Sequence, residues 1–429
     1  MPMHKLVSRS ATLSQLLDLA SSSLYTNAFY LMLAQAAISA LGFFFWVIVA
    51  RFYTEAEVGY SSAIISTIGL VSLIGHVGLD TFVVRFLSRA RNPVQLLNTC
   101  LTYSGAATLA VSLVCAAGLG IWSPRIGFVG SQPVFLAAFV CFAVASNVTG
   151  SASAAFVACR KAKFLLVKDV IFGALKLFLP LLFLAHFHAF GIVASWGLAT
   201  MAALVVSLLV LMPRVVPGYA VTLELGARLV RRAWGFSGLS YVISLVASMP
   251  KFLMPLIVIN VLGPEENGFF YIAWAMSTVL FFIPGSIAQS LFAEGSYDKK
   301  LLHRNVLRAF QLSFALLVPA ALLLVLLGDR LLLAFGTSYS TRSLELLRIL
   351  VIAGFPITVE SVHFAVLRVR GGLRELLLWR LALTTVVLGA SYHFVSIGGV
   401  EAIGWVYLTA HGCVAALILV TRSALWRSR

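Results

Sequence analysis

Apolar runs long enough to cross a lipid bilayer recur from Phe29 to about Val420, with only short polar breaks between them. About 20 apolar residues make one helical crossing. The runs are apolar all round rather than alternating, which argues against the strands of a membrane barrel. With 61% hydrophobic and 11% charged residues and a mean hydropathy of +1.00, the chain has too little polar surface for a soluble protein. It reads as an all-α integral membrane protein.

Twelve spans are expected, at 29–50, 60–82, 97–122, 133–158, 165–187, 190–212, 239–262, 268–291, 306–327, 345–366, 377–396 and 400–421. The first lacks a cleavage site and is expected to be retained. Residues 1–28 precede it, and their leucines (Leu6, Leu13, Leu16, Leu17, Leu19) suit a short helix on the membrane surface. Residues 29–212 form an expected first lobe and 239–421 a second. The basic, proline-bearing stretch 213–238 links them, and 422–429 is a tail.

A net charge of +16 would point to nucleic acid in a soluble protein. Here the bases sort by side, so no nucleic-acid partner is expected. One set of connections carries Arg85, Arg89, Arg91, Arg160, Lys161, Arg228, Arg231, Arg232, Arg368 and Arg370, whereas Arg51, Arg125, Arg330, Arg342 and Arg348 are most of the bases on the other. Cytoplasmic loops collect Lys and Arg, so both termini are placed in the cytoplasm. The cysteines form no metal or redox spacing. No Walker motif, nucleophile elbow or zinc-protease helix occurs, so neither a cofactor nor hydrolytic chemistry is expected.

The halves share a short repeat. Aligned without gaps, Glu57, Gly59 and Tyr60 fall on Glu266, Gly268 and Phe269, at the join of spans one and two and of spans seven and eight. Six spans separate them, so the halves share an orientation. That implies a pseudo-twofold axis along the membrane normal.

The segment Ala50 to Tyr60, followed by Gly78, Leu79, Asp80 and then Arg85 to Ser88, resembles the opening of the Wzx-type polysaccharide flippases of the MATE-like (multidrug/oligosaccharidyl-lipid/polysaccharide) superfamily. Leu262 to Gly268 resembles the start of their second lobe; Phe335, Gly336 and Tyr339 with Leu346 to Leu350 resemble the approach to their tenth span. The resemblance implies two six-helix lobes around a cavity that opens alternately to each side of the bacterial inner membrane. It also implies a cargo of undecaprenyl-(pyro)phosphate-linked oligosaccharide. Expected partners are this lipid-linked sugar, membrane lipids, a polysaccharide polymerase and a chain-length regulator. The expected function is a secondary transporter, not an enzyme. A small-molecule exporter of the same superfamily is the alternative, and a membrane glycan polymerase or ligase is a weaker one, because no large outer loop exists for catalysis.

A charge inside the bilayer costs about 2.5–3.5 kcal/mol on insertion scales, so such residues mark cavities or partners. Lys251 lies near the middle of span seven, flanked by Pro250 and Pro255, which suit a hinge. Lys176 in span five belongs to the opposite lobe. Both are expected to face one cavity and attract phosphate, with Arg85 and Arg51 at the two rims. Glu360, with His363 three residues on, is a candidate proton or cation site, because burial raises a carboxyl pKa and histidine titrates near neutrality. Asp80 is a further candidate for ion coupling. His76 and Gln35 are assigned to packing or interhelical hydrogen bonds.

Overall fold

The structure is a computed structural model that describes residues 23–184, 188–298 and 301–421. The expected leucine-rich surface helix at the N-terminus falls outside them. The helices of eight residues or more are α1 (Ser23–Phe52), α2 (Glu55–Gly75), α3 (Leu79–Phe86), α4 (Pro93–Trp122), α5 (Pro133–Ala158), α6 (Ala162–Phe183), α7 (His188–Val206), α8 (Ala227–Val261), α9 (Pro264–Tyr297), α10 (Leu302–Leu333), α11 (Leu344–Arg370) and α12 (Leu373–Thr421). No strand occurs among the described residues.

Ten of these helical segments are long and apolar enough to cross a membrane. The twelve expected spans exceed this by two, and two features account for the difference. One is α6, which is 22 residues long and carries Lys168, Asp169 and Lys176. The other arises because α12 breaks at Gly398 and Gly399, where φ of Gly399 is +64°. Glycine reaches this region without a Cβ penalty, and the break falls between the last two expected spans.

Local chemistry sets the ends. Thr54 Oγ1 accepts from the Glu57 amide at 3.3 Å, and the Glu57 carboxylate accepts from the Thr54 amide at 2.8 Å. This reciprocal cap starts α2. Asn92 caps α4 by accepting from the Gln95 amide at 3.1 Å. Gly371, at φ +79°, closes α11, its amide donating to the Arg368 carbonyl at 3.1 Å.

The structure corrects two expected limits. The second span is not one helix: it starts at Glu55, stops at Gly75 and resumes as α3 after Gly78, whose φ is +75°. His76 Nδ1 donates to the Ser72 carbonyl at 2.7 Å, and Asn147 Nδ2 from α5 donates to the same oxygen at 3.0 Å. The same oxygen also accepts from the His76 amide at 3.2 Å, so these side chains tie the end of α2 to α5 at the break. The packing role expected for His76 is therefore what the geometry shows. The segment expected as a linker, 213–238, is helical from Ala227 onward, because span seven extends as α8 beyond its apolar part.

Helices α1–α7 form one lobe and α8–α12 the other. Within the lobes α1 packs on α6, and α11 on α9, α10 and α12. Between them α2 packs on α8 and α9. The repeat identified in the sequence lies at this seam. A Cβ on Gly59 would come within 1.7 Å of the Pro264 carbonyl oxygen, and one on Gly268 within 2.4 Å of the Glu55 carbonyl oxygen. Only glycine permits so close a backbone crossing.

Candidate functional site

The end of the molecule that carries Arg51 and the repeat is closed. Arg51 Nε donates to the Ala334 carbonyl at 2.7 Å and its terminal nitrogen to Leu333 at 2.6 Å. These are carbonyls of the last turn of α10 and the residue after it, groups a helix leaves without internal partners. Asn267 Nδ2 donates to the Gly59 carbonyl at 2.7 Å and to Ser62 Oγ at 3.1 Å. Asn260 Nδ2 donates to Ser123 Oγ at 3.0 Å. Beside this seam, Tyr53 donates to the Pro180 carbonyl at 2.7 Å. Burial first, and the charge of Glu57 second, push its hydroxyl pKa up to about 12, so it remains a donor.

Beneath this closure lies a cavity of 480 Å³ between the lobes. Its walls include Phe43, Trp46, Trp196, Tyr271, Trp274 and Phe335. Trp46 and Tyr271, from opposite lobes, meet with ring centroids 4.7 Å apart. The polar groups are few: Gln35, Ser39, Ser66, Thr278 and Lys251, with no carboxylate in the lining. Apolar walls with a few placed polar groups are the common make-up of a ligand site.

Lys251 is exposed to this cavity. Its amine lies 5.4 Å from the ring centre of Phe252 and makes no salt bridge among the described residues. The flanking Pro250 and Pro255 both lie inside α8, which runs through them. Lys176 is placed differently from its expected position. It is only 6% exposed and does not line the cavity. Its amine sits behind α1, 4.7 Å from the centre of Phe172 and 5.4 Å from that of Phe45. Gly42, which does line the cavity, separates them: a Cβ there would be 3.7 Å from the Lys176 amine. Asp169 pairs with Lys168 at 2.7 Å.

A second cavity, of 820 Å³, occupies the basic end between the lobes. Arg85, Arg89 and Arg160 line it from the first lobe and Arg368 from the second, again with no carboxylate in the lining. Arg85 was expected at this rim; Arg160 and Arg368 had been read only as loop charges. Arg51 lines neither cavity, and its guanidinium is occupied by the two α10 carbonyls.

Glu360 is 2% exposed, inside the second lobe. The partner expected from sequence, His363, is fully buried against Phe364 and Trp379. The carboxylate is instead held by His411 of α12, whose Nδ1 donates to both oxygens at 3.0 Å. The Tyr407 ring packs tilted against His411, centroids 4.3 Å apart, and the Arg380 guanidinium lies 4.4 Å from the centre of the Phe364 ring. Asp80, on α3 in the other lobe, accepts from Thr81 at 3.5 Å and makes no hydrogen bond to this cluster among the described residues.

No protein-family model matches the sequence, and no curated protein sequence matches it. Solved structures do. An inward-facing multidrug-resistance MATE transporter of the MOP superfamily superposes with a TM-score of 0.65 at 16% identity, covering 90% of this chain and 94% of its own. The MATE multidrug transporter DinF-BH gives 0.67 at 14% identity over 95% and 97%. The lipid II flippase MurJ, in an inward closed conformation, gives 0.69 at 10% identity over 92% and 87%. The chain has the two-lobed, all-helical fold shared by MATE transporters and MurJ.

Proposed function

We propose that this protein is a flippase for lipid-linked oligosaccharide, carrying an undecaprenyl-(pyro)phosphate-linked sugar from the cytoplasmic to the periplasmic leaflet of the bacterial inner membrane by alternating access. One observation carries the reading: Lys251 presents to an aromatic cavity between the lobes an amine that has no carboxylate partner among the described residues. Holding a cation there is costly unless an anion visits it. The aromatic walls offer apolar faces for the less polar faces of sugar rings, and the arginine-lined cavity extends the positive field towards the basic end. The positive-inside rule makes that end cytoplasmic. The conformation described, sealed at Arg51 and hollow at the basic end, would then face the cytoplasm.

The Glu360–His411 pair is the preferred site for coupling to a proton or cation. It is buried, titratable and remote from Lys251 in sequence, and it joins α11 to α12. Lys176 would act as a second, shielded cation behind Gly42.

An exporter of small molecules is the second reading, favoured by the 480 Å³ size, within the range of drug-sized ligands. The unpaired lysine then selects anionic compounds. The deciding experiment is to measure the leaflet distribution of lipid-linked oligosaccharide in cells that carry Lys251→Ala as their only copy. Build-up on the cytoplasmic face at normal protein levels supports the flippase. A normal distribution with altered sensitivity to anionic drugs supports the exporter.

A further inference from the structure

A third cavity, of 620 Å³, opens at the basic end between α3 and α4 of the first lobe and the start of α8. Four arginines line it: Arg89 and Arg91 from the turn after α3, and Arg228 and Arg232 from the first turns of α8. Arg228 and Arg232 are four residues apart and so share a helix face. No carboxylate lines the cavity, and none of the four arginines makes a salt bridge among the described residues. The floor is apolar, formed by Phe82, Phe86, Leu96 and Leu229.

The site is built rather than incidental. The stretch leading into α8 is tied to α4 by three hydrogen bonds. Asn98 Nδ2 donates to the Ala220 carbonyl at 2.8 Å and to Thr222 Oγ1 at 2.7 Å, and the Glu224 amide donates to Thr102 Oγ1 at 3.2 Å. Gly226 then presses on Thr99, where a Cβ would lie 3.0 Å from a side-chain carbon. These contacts fix the start of α8, and with it Arg228 and Arg232, opposite Arg89 and Arg91. The helix also begins here without a side-chain cap on its first amides, which adds positive potential.

Four like charges around one hollow repel each other. An anion would relieve that repulsion, and the apolar floor selects an anion with an apolar part. At the surface of a membrane, acidic phospholipid has this chemistry, and basic pockets between spanning helices bind such headgroups. We propose that this cavity binds the phosphate of an acidic phospholipid, at a site separate from the two cavities described above. Arg89 lines both this cavity and the central basic one, but Arg228 and Arg232 line this one alone. A lipid held there would bridge α3 and α8, one helix from each lobe.

The test uses the full protein in mild detergent. Bound phosphatidylglycerol and phosphatidylcholine are counted by native mass spectrometry after incubation with each lipid. Thermal melting is then recorded with each lipid and with inorganic phosphate. The wild type should retain phosphatidylglycerol over phosphatidylcholine by roughly ten-fold or more. The pair Arg228→Gln with Arg232→Gln should lose that preference, whereas Arg228→Lys with Arg232→Lys should keep most of it. Arg85→Gln, in the central cavity only, should leave it unchanged. Equal retention by the Gln pair overturns the proposal, as does stabilisation by inorganic phosphate equal to that by the lipid. Because the readout is lipid retention, it stands apart from any transport assay.

Discussion

Gly59 and Gly268, at matched positions of the two halves, meet at the seam between the lobes. A methyl group on Gly59 would lie 3.0 Å from the Gly268 amide nitrogen and closer still to the Pro264 carbonyl. The obstacle is backbone, which cannot swing aside as a side chain can. Gly59→Ala should therefore push α2 and α9 apart, at a cost of about 1–3 kcal/mol or more. Gly120→Ala is the control, since nothing lies within 4 Å of its added Cβ. Melting temperatures of the two purified variants check this; equal values would remove the seam as a constraint.

Lys251→Ala should weaken binding of a phosphate-bearing cargo by roughly 10- to 100-fold, the worth of a charge-assisted hydrogen bond of about 1.5–3 kcal/mol. Lys251→Arg should retain part of the affinity, because charge survives while shape changes. The measurement is cargo binding to purified protein. Alanine and wild type binding alike would leave the amine without a role in recognition.

His411→Leu leaves the Glu360 carboxylate buried without its donor and should destabilise the protein by about 3–5 kcal/mol. Adding Glu360→Gln should recover part of that loss, since the stranded charge is gone. Chemical denaturation of the single and double variants reads the difference. Strictly additive losses would mean that the two residues do not act as a pair.

Arg51→Ala removes both hydrogen bonds to the end of α10 and should shift the population away from the state closed at that end. Arg51→Lys should do nearly the same, because an ammonium lacks the fork that reaches both carbonyls. Distances between spin labels placed across the seam would report the shift. An unchanged distance distribution would mean that Asn267 and the glycine contacts alone hold the closure.

The spans were legible because a bilayer demands unbroken apolar length, and Lys251 because a charge in such a run stands out. The repeat at Gly59 and Gly268 was visible as a pattern, though not as a contact. What escaped the sequence depended on distant pairing. His411 lies 51 residues beyond Glu360, so the nearer His363 took its place in the reading. Lys176 looked equivalent to Lys251, but which side of α1 it faces depends on helix packing. Arg51 carried the charge of a rim residue, while its use depends on where α10 ends. Gln35, assigned to packing, lines the cavity because of the same helix rotation that exposes Ser39.

The buried Glu360–His411 contact has a mechanical consequence. Glu360, His411, Arg380 and Tyr407 all belong to α11 and α12, within one lobe. Under the proposed mechanism, that lobe can tilt as one body while these four side chains keep their contacts with one another. Resistance to tilting then comes from the surfaces where the lobes meet. There a few carbonyls, amides and a guanidinium must exchange partners, and water can replace each as it lets go.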